Sequence, residues 1–515
     1  MKKRNEASKK VSLVERIGSK IPDPVVIFIF LFIVIMLASA LLGGKTFSMM
    51  GNDGQDVTYG IKNMFTTENI RWLFDNAILT NWVGYASGIL GVILIVMFGI
   101  GISEESGLLS ALIRKLGGNI SDRFLPYLLV FLGIMSNIAS DAGYIILIPL
   151  AGLLYLGLKK NPLIGMFAAF AGVSAGFSAN LIPATVVDIL VGRNAQGFAN
   201  AQNVPFVSYL GKNLNAFTMH YFFMVASTVL LVLLGGFITN KFIRPKFEKM
   251  SYDVPDDVDI SEFGVTDTEK KGLRWALVGF LLSLGFCVIL AVGPLRSYVD
   301  PTTGDTVTPF LENIILLITF IFFMSGAFYG YATKRFTKLQ DVIEAMAKQV
   351  GTMGYVIILT FFSYNTLALL SYTGLGTYIT YLGAQLLENL GLNQSPTLLI
   401  IAFILITAII NLFVGGLTSK WLLLGPIFIP MLYNANPNMT PDVVAAAYRL
   451  ADSSTNIITP LMSYAGIVLV FMRKYKKDFN VGNLIGAMLP YSIAFIISWT
   501  ILLLIFINFR IPLGF

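Results

Sequence analysis

Two short segments carry residue types able to bind an ion or a small anion inside apolar sequence. Ser178-Ala179-Asn180 precedes Pro183, and Ser454-Thr455-Asn456 precedes Pro460. Proline removes a backbone donor and crowds the preceding turn, so a helix entering either segment must break there. Breaking frees carbonyl and N–H groups. Carbonyls with Ser, Thr and Asn oxygens can replace the hydration shell of a hard cation, while N–H groups at a helix N-terminus suit a carboxylate. The alternative is that these side chains only satisfy the broken backbone. Because the pattern occurs twice, each time downstream of a lone asparagine, Asn137 or Asn411, the sequence favours binding. Asn180 and Asn456 are assigned to substrate, Asn137 and Asn411 to a cation.

Five charged residues lie inside apolar runs: Asp141, Asp188, Lys420, Arg449 and Asp452. Charges at such depth are costly in hydrocarbon and face a cavity or a partner. Arg449 and Asp452 are three apart on one helical face, and one outcome is that they neutralise each other. The other gives Asp452 to a cation, directly or through protonation, and lets Arg449 grip a substrate carboxylate with two directed bonds. Asp188 follows the first break and is either functional or at the outer surface. Thr418 and Trp421 sit at the glycine-rich segment Gly415–Lys420, where the indole either stacks on an aromatic substrate or packs locally.

The elements that must position these residues follow from hydropathy. Of 515 residues, 56% are hydrophobic and 13% charged, with mean hydropathy +0.75, against roughly a quarter charged in soluble proteins. The chain is expected to be an all-α polytopic membrane protein in a lipid bilayer. The net charge of +7 comes from short Lys/Arg clusters between apolar runs, which serve topology rather than nucleic-acid binding. A single cysteine, Cys287, excludes intrachain disulfides and cysteine-built metal clusters, and a single histidine, His220, weakens hydrolytic triads; His220 is expected to be structural and interfacial. No phosphate loop, Ser/His pair or Gly-x-Gly-Asp sequence is present, so neither ATP-driven transport nor enzyme chemistry is expected. Ala38-Ser39-Ala40 resembles a signal-peptidase site, but the run Val25–Leu42 is too long for a signal peptide and reads as a retained span.

At about 1.5 Å per residue against a core of about 30 Å, nine spans are expected near 25–43, 82–103, 163–191, 220–242, 274–293, 310–332, 352–372, 443–472 and 485–509. The stretches 125–158 and 398–433 are interrupted at Ser136–Asp141 and Gly415–Lys420 and are expected to be re-entrant hairpins. The Lys and Arg distribution then puts the N-terminus in the cytosol and the C-terminus outside. Ser106-Gly107-Leu108 has a counterpart in Thr373-Gly374-Leu375, and each Ser-x-Asn break follows a hairpin. This yields a first span (1–43), a repeat (82–242), a loop with two linking spans (243–333) and an inverted repeat (350–509). Inverted repeats with discontinuous helices are the architecture of alternating-access carriers; an ion channel is the competing class.

Leu13-Val14-Glu15-Arg16-Ile17-Gly18 with Pro22-Asp23-Pro24, the Ser136-Asn137 hairpin to Pro149, and the block from Ala451 to Arg473 resemble the p-aminobenzoyl-glutamate transporter (AbgT) family over nearly the whole chain. The resemblance implies a homodimer in a bacterial inner membrane that moves substrate by an elevator motion, with no cofactor beyond a sodium ion or proton as coupling ion. It implies transport roles for Asp188, Trp421, Pro441, Arg449, Asp452 and Pro460, and a sodium or other cation site at Asn411 and Asp452. The implied substrates are p-aminobenzoyl-glutamate, taken up, or p-aminobenzoate and sulfonamide antimetabolites, exported by a proton-driven pump. An aromatic amide with two carboxylates suits one Trp, one Arg and helix N-termini. Ile138 departs from the Ser-Asn-Thr tip of related carriers, which removes a threonine ligand from the first cation site.

Overall fold

The computed structural model describes residues 23–50, 56–117, 121–137, 143–254, 265–299, 306–307, 309–351, 353–412, 416–459 and 465–515. Ile138, Asp141 and Pro460, singled out in the sequence, lie outside them. The chain is built almost wholly from helices, with two short antiparallel β-hairpins, Thr46–Met50 with Asp56–Gly60 and Tyr298–Val299 with Thr306–Val307. Among the described residues six helices are long and apolar enough to cross a membrane. The first, α1 (Pro24–Leu42), is capped by Asp23, whose carboxylate accepts from the Val25 N–H at 2.8 Å. It turns Phe30, Ile33, Leu37 and Leu41 outward. Such apolar surface has no reason to stay exposed in water; a hydrocarbon solvent removes the penalty.

After the first β-hairpin come α2 (Thr67–Asn76), α3 (Tyr85–Glu105), α4 (Leu108–Gly117), α5 (Leu125–Ser136), α6 (Ile148–Gly157), α7 (Pro162–Ala175), α8 (Val186–Ala201) and α9 (Tyr221–Ile238). Two helices, α10 (Asp267–Val292) and α11 (Ile314–Ala332), link these to the second set. That set runs α12 (Leu339–Gly351), α13 (Gly354–Tyr372), α14 (Leu375–Asn389), α15 (Pro396–Asn411), α16 (Leu417–Ala435), α17 (Pro441–Asn456), α18 (Ala465–Tyr475) and α19 (Val481–Asn508). The spans expected at 163–191 and 443–472 are each divided into two helices. Hydropathy alone gave no hint of the amphipathic helices α2, α4, α12 and α14, because they are short and half polar.

The Ser-Gly-Leu and Thr-Gly-Leu triplets fold alike. Gly107 and Gly374 have φ of +85° and +76°, a left-handed conformation that favours glycine. In each turn the hydroxyl of the preceding residue, Ser106 or Thr373, accepts from the following Leu N–H at 3.3 Å. The turn ends one long helix and starts the next in a new direction.

Both interrupted helical pairs bring their ends together. Before α5, Asp122 ion-pairs with Lys160, which follows α6, and with Arg244 beyond α9 at 2.9 Å. Before α15, the Asn393 carbonyl accepts from the Asn436 side chain, just after α16, at 2.8 Å. Each pair therefore runs out and back as an antiparallel helical hairpin.

The hairpin helix α5 packs on α7 through backbone contact. A Cβ placed on Gly172 would stand 2.4 Å from the Val130 carbonyl oxygen, so the helices must separate to admit it. Gly172→Ala is expected to destabilise the protein by roughly 1–3 kcal/mol, read as a lowered melting temperature of the detergent-purified chain. An unchanged melting temperature would mean the two helices are free to part.

Candidate functional site

The first break lies where α7 gives way to a tight turn, Gly176–Ser178, and an irregular, bent strip before α8. Thr185 caps α8, and its N–H and hydroxyl both donate to Asp188 Oδ2 at 2.8 Å. Asp188 is thereby fixed in the first turn of α8. Asn180 serves the broken backbone, its Oδ1 accepting from the Ile182 N–H at 3.0 Å. Asn137 donates to the Gly133 and Val173 carbonyls at 3.1 and 2.9 Å. Its own Oδ1 is buried and has no hydrogen-bond partner among the described residues.

Every residue of α17 is buried. Pro441 opens it, a position where the missing N–H costs nothing. Arg449 reaches out of α17 to Asp188 Oδ1 at 2.7 Å, with side-chain exposures of 3% and 5%. The same guanidinium donates to the Phe177 carbonyl at 3.2 Å and approaches His220 Nδ1 at 3.3 Å. His220 Nε2 lies 2.8 Å from the Asp442 carbonyl. A carbonyl only accepts, so Nε2 carries the proton and Nδ1 accepts from Arg449, which assigns a neutral imidazole. Ser178 Oγ donates to the Arg449 carbonyl at 3.0 Å, and Ser453 Oγ donates to Ser178 Oγ at 2.6 Å. The two broken segments therefore touch through side chains as well as through the ion pair.

One turn further along α17, Asp452 is paired with Lys420 of α16, and both side chains are fully buried. Lys420 also donates to Asn411 Oδ1. The Asn411 amide in turn donates to the Asp452 carbonyl and Thr455 Oγ1, each at 2.7 Å, and to Asn456 Oδ1 at 3.0 Å. Asn456 Nδ2 donates to Asp452 Oδ2 at 2.8 Å. Thr418 is half-buried in the first turn of α16. Trp421 is buried, its N–H donating to the Val191 carbonyl at 3.0 Å and its ring 4.6 Å from that of Tyr448.

The structure decides between the alternatives left open for two residue sets. Arg449 does not neutralise Asp452, because α8 supplies the partner of the arginine and α16 the partner of the aspartate. Asp188 is not at the outer surface but buried in that pairing. His220, expected to be structural, is buried at 3% exposure at the start of α9 and orients Arg449. His220 and Ser453 were missed as site residues; their partners are 229 and 275 residues away in the chain, and no local spacing signals such contacts. Asn411 and Asp452 do meet, with the Lys420 ammonium between them.

Broken helices meeting around buried, charge-paired polar side chains in an apolar helical chain define a membrane transporter. A model of the AbgT transporter family matches residues 9–515, and the chain belongs to that family. It is 30% identical to the p-aminobenzoyl-glutamate transport protein of Escherichia coli (strain K12), over 99% of this chain and 97% of the relative. The crystal structure of the YdaH transporter of Alcanivorax borkumensis, described as having an unusual topology, superposes with a TM-score of 0.85 at 32% identity, covering 96% of this chain and all of that one. MtrF of Neisseria gonorrhoeae, described as illuminating a class of antimetabolite efflux pumps, superposes with a TM-score of 0.81 at 34% identity, covering 96% of each chain.

Proposed function

We propose that this transporter carries p-aminobenzoyl-glutamate or a related aromatic carboxylate by alternating access of the elevator type, coupled to a cation gradient, as a homodimer in a bacterial inner membrane. The observation that carries this reading is the Arg449–Asp188 pair. A guanidinium held by a carboxylate from the other broken helix is a carboxylate site already filled from within, and a substrate carboxylate binds there by displacing Asp188. Trp421 has no free face in this conformation, so stacking on an aromatic substrate requires the α15–α16 hairpin to move, as alternating access demands. The likeness to the p-aminobenzoyl-glutamate transport protein of Escherichia coli supports the substrate class.

A coupling cation fits the first repeat, where the buried Asn137 Oδ1, without a hydrogen-bond partner among the described residues, supplies an oxygen ligand. When bound, such an ion contributes its transmembrane gradient as the driving force. A second direction, proton-driven efflux of p-aminobenzoate or sulfonamide antimetabolites, is favoured by the likeness to MtrF; a carrier runs either way according to its gradients. Proteoliposome uptake of labelled p-aminobenzoyl-glutamate, with sodium and proton gradients imposed separately, tests carrier, ligand and coupling together. Saturable uptake and counterflow are expected. Single-channel currents without counterflow would assign the chain to the channels.

The expected topology has its own check. With Cys287 replaced by serine, a cysteine at Lys159, after the first hairpin, should label only from the cytosol, and one at Gln394, before the second, only from outside. External labelling at Lys159 in intact cells would turn the first hairpin into a crossing.

A further inference from the structure

We propose that Lys420 is a built-in cation that holds the ion position of the second break, so that this half of the transporter binds no sodium. The proposal rests on the cation-coupled reading above for its consequence, though not for its test. The oxygens that could ligate a hard cation at this position are the two of Asp452, Oδ1 of Asn411 and, around the Asn411 amide, the Asp452 carbonyl, Thr455 Oγ1 and Asn456 Oδ1. Lys420 pairs with Asp452 Oδ1 and donates to Asn411 Oδ1, while Asn456 Nδ2 takes Asp452 Oδ2 at 2.8 Å. Nor can Asn411 turn away, because its amide is held by the Asp452 carbonyl, Thr455 Oγ1 and Asn456 Oδ1. Each of these oxygens is thus engaged, Ser454 Oγ being the oxygen of this break that has no partner among the described residues, and the cluster is neutral with one ammonium and one carboxylate. A sodium ion entering beside Lys420 would place a second positive charge in a fully buried, low-dielectric site, where an uncompensated charge is heavily penalised.

The first half differs in a way that matches. Aligning Ser178 with Ser454 puts Gly176 where the second half has Asp452. No side chain fits there, since a Cβ on Gly176 would stand 2.2 Å from Asn137 Nδ2. Lys420 stands nine residues after Asn411, and the same distance from Asn137 falls on Ile146, so the aligned position of the first half brings no ammonium. Lysine and aspartate stand together at these positions in the second half and are absent from the aligned positions of the first, Ile146 and Gly176, and among the described residues only the first half leaves its asparagine oxygen unpaired. The second ion has become part of the chain. Because Lys420 belongs to the hairpin and Asp452 to α17, this ion also fastens the hairpin shut, and opening the hairpin withdraws it.

The test is the melting temperature of the detergent-purified transporter as sodium replaces choline at constant ionic strength, a readout independent of transport. A ligand that binds only the folded state raises stability with its concentration. Lys420→Met frees Asp452 and Asn411 and is expected to gain a saturable sodium-dependent rise beyond any shown by the wild type. Lys420→Met/Asp452→Asn, which removes both charges, is expected to return to the wild-type sodium response. A wild-type response lost in the double variant would make Asp452 a native sodium ligand and overturn the proposal, as would a Lys420→Met chain that responds like the wild type. Should Lys420→Met not fold, the neutral double variant alone decides. Failure of p-aminobenzoyl-glutamate uptake in proteoliposomes would remove the proposed substrate and leave these shifts untouched.

Discussion

Arg449→Ala should abolish transport and strongly destabilise the protein. Its removal leaves Asp188 buried with only its Thr185 bonds, and breaking a buried pair from one side costs about 3–5 kcal/mol. Adding Asp188→Asn removes the stranded charge, so the double variant should recover most of the stability and none of the transport. Arg449→Lys separates the two roles. It keeps the charge, but an ammonium lacks the planar fork that serves Asp188, the Phe177 carbonyl and His220 together. Binding of p-aminobenzoyl-glutamate by that variant should weaken tenfold or more, about 1.4 kcal/mol per decade. Melting curves and substrate binding on the same preparations check both effects, and wild-type affinity in Arg449→Lys would reject the carboxylate clamp.

Asp452→Asn should have an effect of similar size for the opposite charge. The Lys420 ammonium would be left in a fully buried site with only Asn411 and a neutral amide beside it, a loss of about 3–5 kcal/mol. Lys420→Met in the same chain should restore folding. Pairwise cycles then map the connections. Coupling energy should concentrate in Arg449–Asp188 and in Lys420–Asp452, with little between Arg449 and Asp452 although these two are closest in sequence. A large Arg449–Asp452 coupling, well above about 0.5 kcal/mol, would contradict the partner assignment.

Much of the molecule is legible from the residues alone because its causes are local. The bilayer fixes the length of an apolar run, proline breaks a helix within a turn, and a Ser-Gly-Leu or Thr-Gly-Leu triplet sets a left-handed glycine between two helices. Those rules place the long helices, the interruption after Asn137 and Asn411, and the breaks after Ser178 and Asn456. They also identify Asp188, Lys420, Arg449 and Asp452 as residues needing partners, since a charge inside an apolar run is costly wherever the chain later carries it. Family membership follows from the same blocks. The short helices Thr67–Asn76 and Leu339–Gly351 escape, because hydropathy over a bilayer-length window averages away a half-polar helix.

Which charge meets which is a different kind of fact. Spacing along one helix makes Arg449 and Asp452 neighbours, and from sequence their mutual neutralisation is one of two open outcomes. In the folded chain the guanidinium turns to the first broken helix and the carboxylate to the second hairpin, while His220 arrives from a third element to orient the arginine. Ion-pair and hydrogen-bond energies in a low dielectric depend on separations of a few ångströms. Such separations are set by how the helices cross and which faces they bury, so the need for partners was written in the sequence and the choice among them was made by packing.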